Sequence, residues 1–132
     1  MRFTIAGAAV LGALSPAAPA VAQGVAIDSA VYREQAHNGA VRIEPATRLL
    51  RGDRVVTILR WDAPDQGRYT VTSAVPASLA IESASHPGLE VSLDGGRNWR
   101  RLADPRSVPR ETTHLRWQMR GDGRLSYRAV VR

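Results

Sequence analysis

The sequence predicts an all-β chain, an antiparallel immunoglobulin-like β-sandwich of about seven to nine strands behind a cleaved leader. Three observations carry this. After Gln23 no segment sustains a helical period, whereas period-two alternation of apolar and polar residues recurs between turn signals. Those signals return at the spacing of sandwich strands, about 8–12 residues. Near the centre of the second half, Val91-Ser92-Leu93-Asp94-Gly95-Gly96-Arg97-Asn98-Trp99 reads as strand, tight turn, strand, with glycines supplying positive φ and Trp99 returning to the core. A small barrel is the alternative closure.

The leader comes first. Arg2 gives a positive start, Phe3 to Leu14 an apolar run, and Pro16 and Pro19 break it before the small-residue site Ala20-Val21-Ala22. This run is too short to span a bilayer of roughly 30 Å. Residues 1–22 are therefore expected to be a signal peptide and residues 23–132 a single domain, periplasmic or secreted, with no transmembrane segment in the mature chain. No Cys follows the site, which excludes a lipid anchor there. The remaining 110 residues suit one core. With no Cys anywhere, that domain must hold by packing and strand pairing. Lys is absent too, a pattern that fits the coding bias of a GC-rich bacterial genome.

The expected strands run in order. Val25 to Glu34 ends at the His37-Asn38-Gly39 turn, and Ala40 to Glu44 is closed by Pro45. An Arg51-Gly52-Asp53 turn precedes Arg54 to Trp61, the run richest in β-branched residues. A loop over 62–67 leads to Tyr69–Val75, stopped by Pro76, then to a brief Leu79–Glu82. The Val91–Trp99 hairpin and a Pro-containing loop from Ala103 to Glu111 follow. In the last two strands Leu115, Trp117 and Met119, then Leu125, Tyr127, Ala129 and Val131, take the inward positions.

Charge is unevenly placed. The net of +6 divides into seven Arg against nine acids from Gln23 to Gly96, and ten Arg against three acids from Arg97 to Arg132, with Arg2 in the leader. A basic face outside the cytoplasm points to an anionic envelope polymer or another envelope protein and not to nucleic acid. Pairing the last two strands as a hairpin by their apolar faces sets Arg116 opposite Arg128. Such a like-charge pair is relieved by a bound phosphate, sulfate or carboxylate. Arg116, Arg124 and Arg128 are accordingly the anion-binding candidates. A solvated face that aids solubility is the plainer reading of the same residues.

Catalytic constellations are not found. His37, His86 and His114 stand singly, without metal-ligand spacing, and no nucleophile elbow or Ser-x-x-Lys occurs. Asp62 with Asp65, and Glu82 with Glu90, are the only acid pairs to weigh, and all sit in or near turns. Asp94 lacks the several oxygen neighbours that Ca²⁺ needs, and Arg51-Gly52-Asp53 reads as a turn and not as an integrin ligand. No catalytic residue, metal or cofactor is expected. Trp61, Trp99 and Trp117 all occupy apolar strand positions and are expected in the core; exposure of any would favour sugar binding instead.

Ser92-x-Asp94-x-Gly96-x-x-Trp99 is similar to the Asp-box hairpin of bacterial sialidases and other secreted β proteins. The likeness implies a structural turn built by Ser92, Asp94, Gly95, Gly96 and Trp99. More widely, Leu50-Arg51-Gly52-Asp53 before a Val-rich strand, Thr72-Ser73-Ala74-Val75-Pro76, the Asp94-Gly95-Gly96 hairpin and Thr113-His114-Leu115-Arg116-Trp117 resemble a conserved bacterial repeat domain of exported surface proteins, a family of unknown function. The resemblance covers most of residues 50–132. It implies an immunoglobulin-like sandwich in the envelope, with no catalytic residues to carry over. The chain departs from it in having Arg51 for the usual Pro, no Asn in the central strand, and one copy instead of an array. The expectation is an exported non-enzymatic envelope module with a C-terminal Arg-rich face. The alternative is a carbohydrate-binding accessory domain using an exposed Trp and the Asp-box hairpin.

Overall fold

Wherever apolar residues alternate between turn signals, the computed structural model forms a strand. It describes residues 25–63 and 66–132 throughout, and residues 3–5 and 20–23 by their backbone. The rest of the expected leader, and residues 64 and 65 of the 62–67 loop, lie outside the described residues. The strands are β1 (Phe3–Ile5), β2 (Ala20–Gln23), β3 (Ile27–His37), β4 (Ala40–Pro45), β5 (Arg54–Trp61), β6 (Arg68–Ala74), β7 (Leu79–Ala84), β8 (Glu90–Ser92), β9 (Arg100–Arg101), β10 (His114–Arg120) and β11 (Gly123–Val131). Among the described residues no helix is long and apolar enough to cross a membrane.

Two antiparallel sheets result, and the fold is a β-sandwich. The first has the order β4-β3-β5-β11-β7; the second runs β6-β10-β8-β9, continued past β6 by β2 and β1. One face of each supplies the core. Val31, Val55, Leu59, Trp61, Ile81, Leu125 and Tyr127 come from the first sheet, and Val71, Val91, Leu115 and Trp117 from the second. Among the described side chains the first buried one is Val25, the third residue after the expected cleavage point.

The last two strands do not form a hairpin. β10 lies between β6 and β8, with Trp117 opposite Val71 and Leu115 opposite Val91. β11 lies between β5 and β7 in the other sheet, with Tyr127 opposite Thr57. Between them the chain crosses the sandwich at Gly121, whose φ is +69°. The expected inward faces are correct, but they look at the interior from opposite sides. Alternation fixes which face of a strand is buried and leaves its neighbour open.

Trp61 locks this crossing. It stands directly opposite Gly123 across β5 and β11, and its Nε1 donates to the Gly121 carbonyl at 2.9 Å. A Cβ at Gly123 would fall 2.6 Å from Trp61 Cη2 and 2.8 Å from Cε2, so only glycine lets the ring lie there. At the far edge of the first sheet, the 103–111 loop runs beside β7. Ala84 N–H donates to Pro105 O at 2.8 Å, and Val108 N–H to Glu82 O at 3.0 Å.

Candidate functional site

The Val91–Trp99 segment is a seven-residue loop, residues 93–99, between β8 and the two-residue β9. Its ladder consists of Glu90 opposite Arg101 and Val91 opposite Arg100. Ser92 Oγ, buried at the end of β8, donates to Asp94 Oδ1 (2.8 Å) and accepts the Gly96 N–H (2.8 Å). Asp94 Oδ1 also accepts from the amides of Asn98 (2.9 Å) and Arg97 (3.2 Å), and Oδ2 from Asn98 Nδ2 (2.6 Å). Gly95 (φ +81°) and Gly96 (φ +92°) make the left-handed turn that gathers these donors. Gly95 N–H is tied to Thr113 Oγ1 (3.0 Å), and that hydroxyl donates to the Ser92 carbonyl (3.1 Å). The Asn98 amide N–H, then its side-chain amide and the Ser92 hydroxyl, hold the Asp94 carboxyl well below the usual carboxylate range. Both carboxylate oxygens therefore serve the loop, which acts as a rigid support.

That support carries Trp99 to the surface and not into the core. The alternation of β8 ends at Ser92, so Trp99 is reached through a loop and its position no longer follows the strand phase. Trp61 and Trp117 are buried at 3% and 1% exposure, whereas Trp99 is partly exposed. Arg116 Cζ sits 4.0 Å from the centroid of its ring, and His114 meets it edge-on with centroids 6.5 Å apart. Glu90, opposite Arg116 across β8 and β10, fixes the guanidinium through Nε at 2.9 Å. Beside the indole lies an open recess of about 230 Å³, lined by Val91, Leu93, Asp94, Asn98, Trp99 and Arg100.

The three anion-binding candidates do not come together. Arg116 projects from the second sheet, while Arg124 and Arg128 project from the outer face of the first. Arg128 is paired to Glu34 at 3.1 Å, and Arg124 stands opposite Arg60, which has Asp28 on its other side. The basic C-terminal third is therefore split over two opposite faces, because β10 and β11 belong to different sheets.

On the face that carries Arg116 the sequence reasoning missed three residues. Arg120 stands directly opposite Arg68 across β10 and β6, both exposed, so the like-charge pair expected between Arg116 and Arg128 occurs here. Between this pair and Arg116, Gln118 accepts from Thr70 Oγ1 at 2.9 Å. Successive outward residues of a strand are about 6.6 Å apart, so Arg116, Gln118 and Arg120 form a stripe about 13 Å long. Glu90 is the third: the sequence offered it only as an acid beside Glu82, and among the described side chains it is the one acid on the outer face of β6, β10 and β8. The outward polar phase of β6 (Arg68, Thr70, Thr72) was readable; its pairing with β10 was not. Comparison with family models, curated proteins and solved structures gives no match to this chain.

Proposed function

We propose that the protein is an exported, non-enzymatic interaction module of the bacterial envelope that contacts an anionic polysaccharide through the outer face of β6, β10 and β8. The observation that carries this is the Arg116 guanidinium held by Glu90 over the partly exposed Trp99 ring, on a strand that continues to the Arg120–Arg68 pair. Guanidinium groups present forked donors that match carboxylate and sulfate oxygens. A shared anion relieves the Arg68–Arg120 repulsion and leaves the backbone pairing intact. The leader-like N-terminus and the resemblance to an exported repeat domain support the compartment.

Retention on heparin as a sulfated polymer and on alginate as a carboxylated one tests the reading. Replacing Arg68, Arg116 and Arg120 by Gln should lower the eluting salt concentration sharply, because such contacts are screened within a Debye length of about 8 Å at physiological salt. The double change Arg60→Gln and Arg124→Gln on the opposite face should matter far less. Equal losses from the two faces would reduce the effect to net charge and refute the assignment.

A second reading, a carbohydrate-binding accessory domain, is favoured by one observation, the exposure of Trp99 beside its recess. It predicts binding to neutral glycans that is insensitive to salt and lost in Trp99→Ala.

A further inference from the structure

The chain treats the two edges of the first sheet differently. The β7 edge is covered by residues 105–108, but among the described residues β4 hydrogen-bonds to β3 alone, and every one of its six residues is exposed. Val41 (68%) and Ile43 (46%) are two of the four large apolar side chains exposed among the described residues. An open edge of this kind is a template for strand pairing.

The hairpin turn determines what that edge offers. Asn38 (φ +52°) and Gly39 (φ +78°) between His37 and Ala40 make a two-residue type I′ turn, so His37 and Ala40 form a hydrogen-bonded pair. The phase is the same at the other end, where Ala46 N–H donates to Val31 O at 3.3 Å. Ala40, Arg42, Glu44 and Ala46 thus turn their backbone groups toward β3, and Val41, Ile43 and Pro45 turn theirs outward. Pro45 offers only its carbonyl.

We propose that β4 pairs with β4 of a second copy of this chain, antiparallel about a twofold axis at Ile43. In that register Ile43 exchanges both backbone hydrogen bonds with Ile43 of the second copy, and each Val41 N–H donates to the opposite Pro45 carbonyl. The intervening pairs set Arg42 opposite Glu44, twice. Shifting the register by two residues toward the turn would place Arg42 against Arg42, so charge selects the first arrangement. Arg42 makes no ion pair with a described residue, and Glu44 uses Oε1 for Arg33 (2.8 Å), leaving Oε2 for the new partner. Val41 and Ile43 of both copies form one apolar patch on one side of the joined ten-stranded sheet. The axis is perpendicular to that sheet, so both Trp99–Arg116 faces look the same way and a long polymer meets two of them at once.

Sedimentation velocity of the purified chain from about 1 μM to about 500 μM tests this. The wild type should show a reversible monomer–dimer equilibrium, and Ile43→Lys should remain monomeric. Arg42→Glu and Glu44→Arg should each weaken the dimer about tenfold or more, since each reverses both pairs. Mixing those two variants should restore association, because their heterodimer regains both opposite-charge pairs. Circular dichroism checks that these exposed substitutions leave the fold intact. A wild type that is monomeric throughout, a dimer indifferent to Arg42→Glu, or failure of the mixture to associate would each overturn the proposal.

Discussion

Gly123→Ala should be among the most destabilising single-methyl changes in this protein, although alanine suits a strand better than glycine. The added Cβ would lie 2.6 Å from Trp61 Cη2 and 2.8 Å from Cε2, against the 3.5–4.0 Å or so of carbon–carbon contact. Cζ2 would lie closer still, so the indole, buried at 3% exposure, must retreat by clearly more than about 1 Å. Overpacking of this kind costs about 1–3 kcal/mol. Any tilt also breaks the 2.9 Å bond from Nε1 to the Gly121 carbonyl, and an unsatisfied buried donor costs about 1–3 kcal/mol more. Lower entropy of the unfolded chain returns about 0.4–1 kcal/mol. The net expectation is a loss of about 2–4 kcal/mol, a large part of the stability of a domain this size. Urea titration followed by tryptophan fluorescence measures it, with an unchanged slope and a lower midpoint. A loss below about 0.5 kcal/mol would show that the ring does not rest on Gly123, and the account of the crossing would fail.

Two further expectations concern titrating groups. Because the Asp94 carboxyl is held below the usual range in the folded loop, its contribution is complete above the ordinary aspartate value of about 3.9 and is lost as pH falls below that. Protection of the Arg97 and Asn98 amides against hydrogen exchange should be constant from about pH 7 to pH 5, decline only in stronger acid, and be lost at all pH in Asp94→Ala. A decline already near pH 6 would contradict this origin. Burial pushes the Tyr127 phenol up to about 12, with the hydroxyls of Thr57 and Ser73 offsetting this in part. Its contribution is therefore complete below about pH 10 and lost as pH rises through the folded value. The urea midpoint should fall across that window, and Tyr127→Phe should reduce the fall. The Tyr127 hydroxyl lacks a well-formed hydrogen bond, so the variant should match or slightly exceed the wild type in stability at neutral pH.

What the sequence made legible was local. β5 was read to its last residue and β4 to within one, because β-branched alternation and the Asn38-Gly39 turn are signals carried by adjacent residues. The Ser92–Asp94–Gly95–Gly96 turn was legible for the same reason. Pairing was not. A period of two says which side of β10 is buried but not that β6 and β8 flank it, and from that one gap came the misplaced Arg116–Arg128 pair and the single basic face. Trp99 failed differently: an apolar residue seven positions past a strand end has no inherited phase. Directly opposed arginines do occur, but at Arg68–Arg120 and Arg60–Arg124 and not at Arg116–Arg128.

The positions of β10 and β11 bear on how the chain reaches its fold. Each is an interior strand of its sheet, yet they are the last two strands in the sequence. Until residues 114–131 are free, β6 and β8 have no ladder to join them, and neither have β5 and β7. Among the described residues no strand before β10 and β11 joins these neighbours, so a polypeptide emerging from its N-terminus keeps both layers open until β10 and β11 arrive. Pairings this distant in sequence make for slow collapse. Each layer is thus joined by a strand that follows both its neighbours in the chain, and removing β11 alone would leave both β5 and β7 without the strand that joins them.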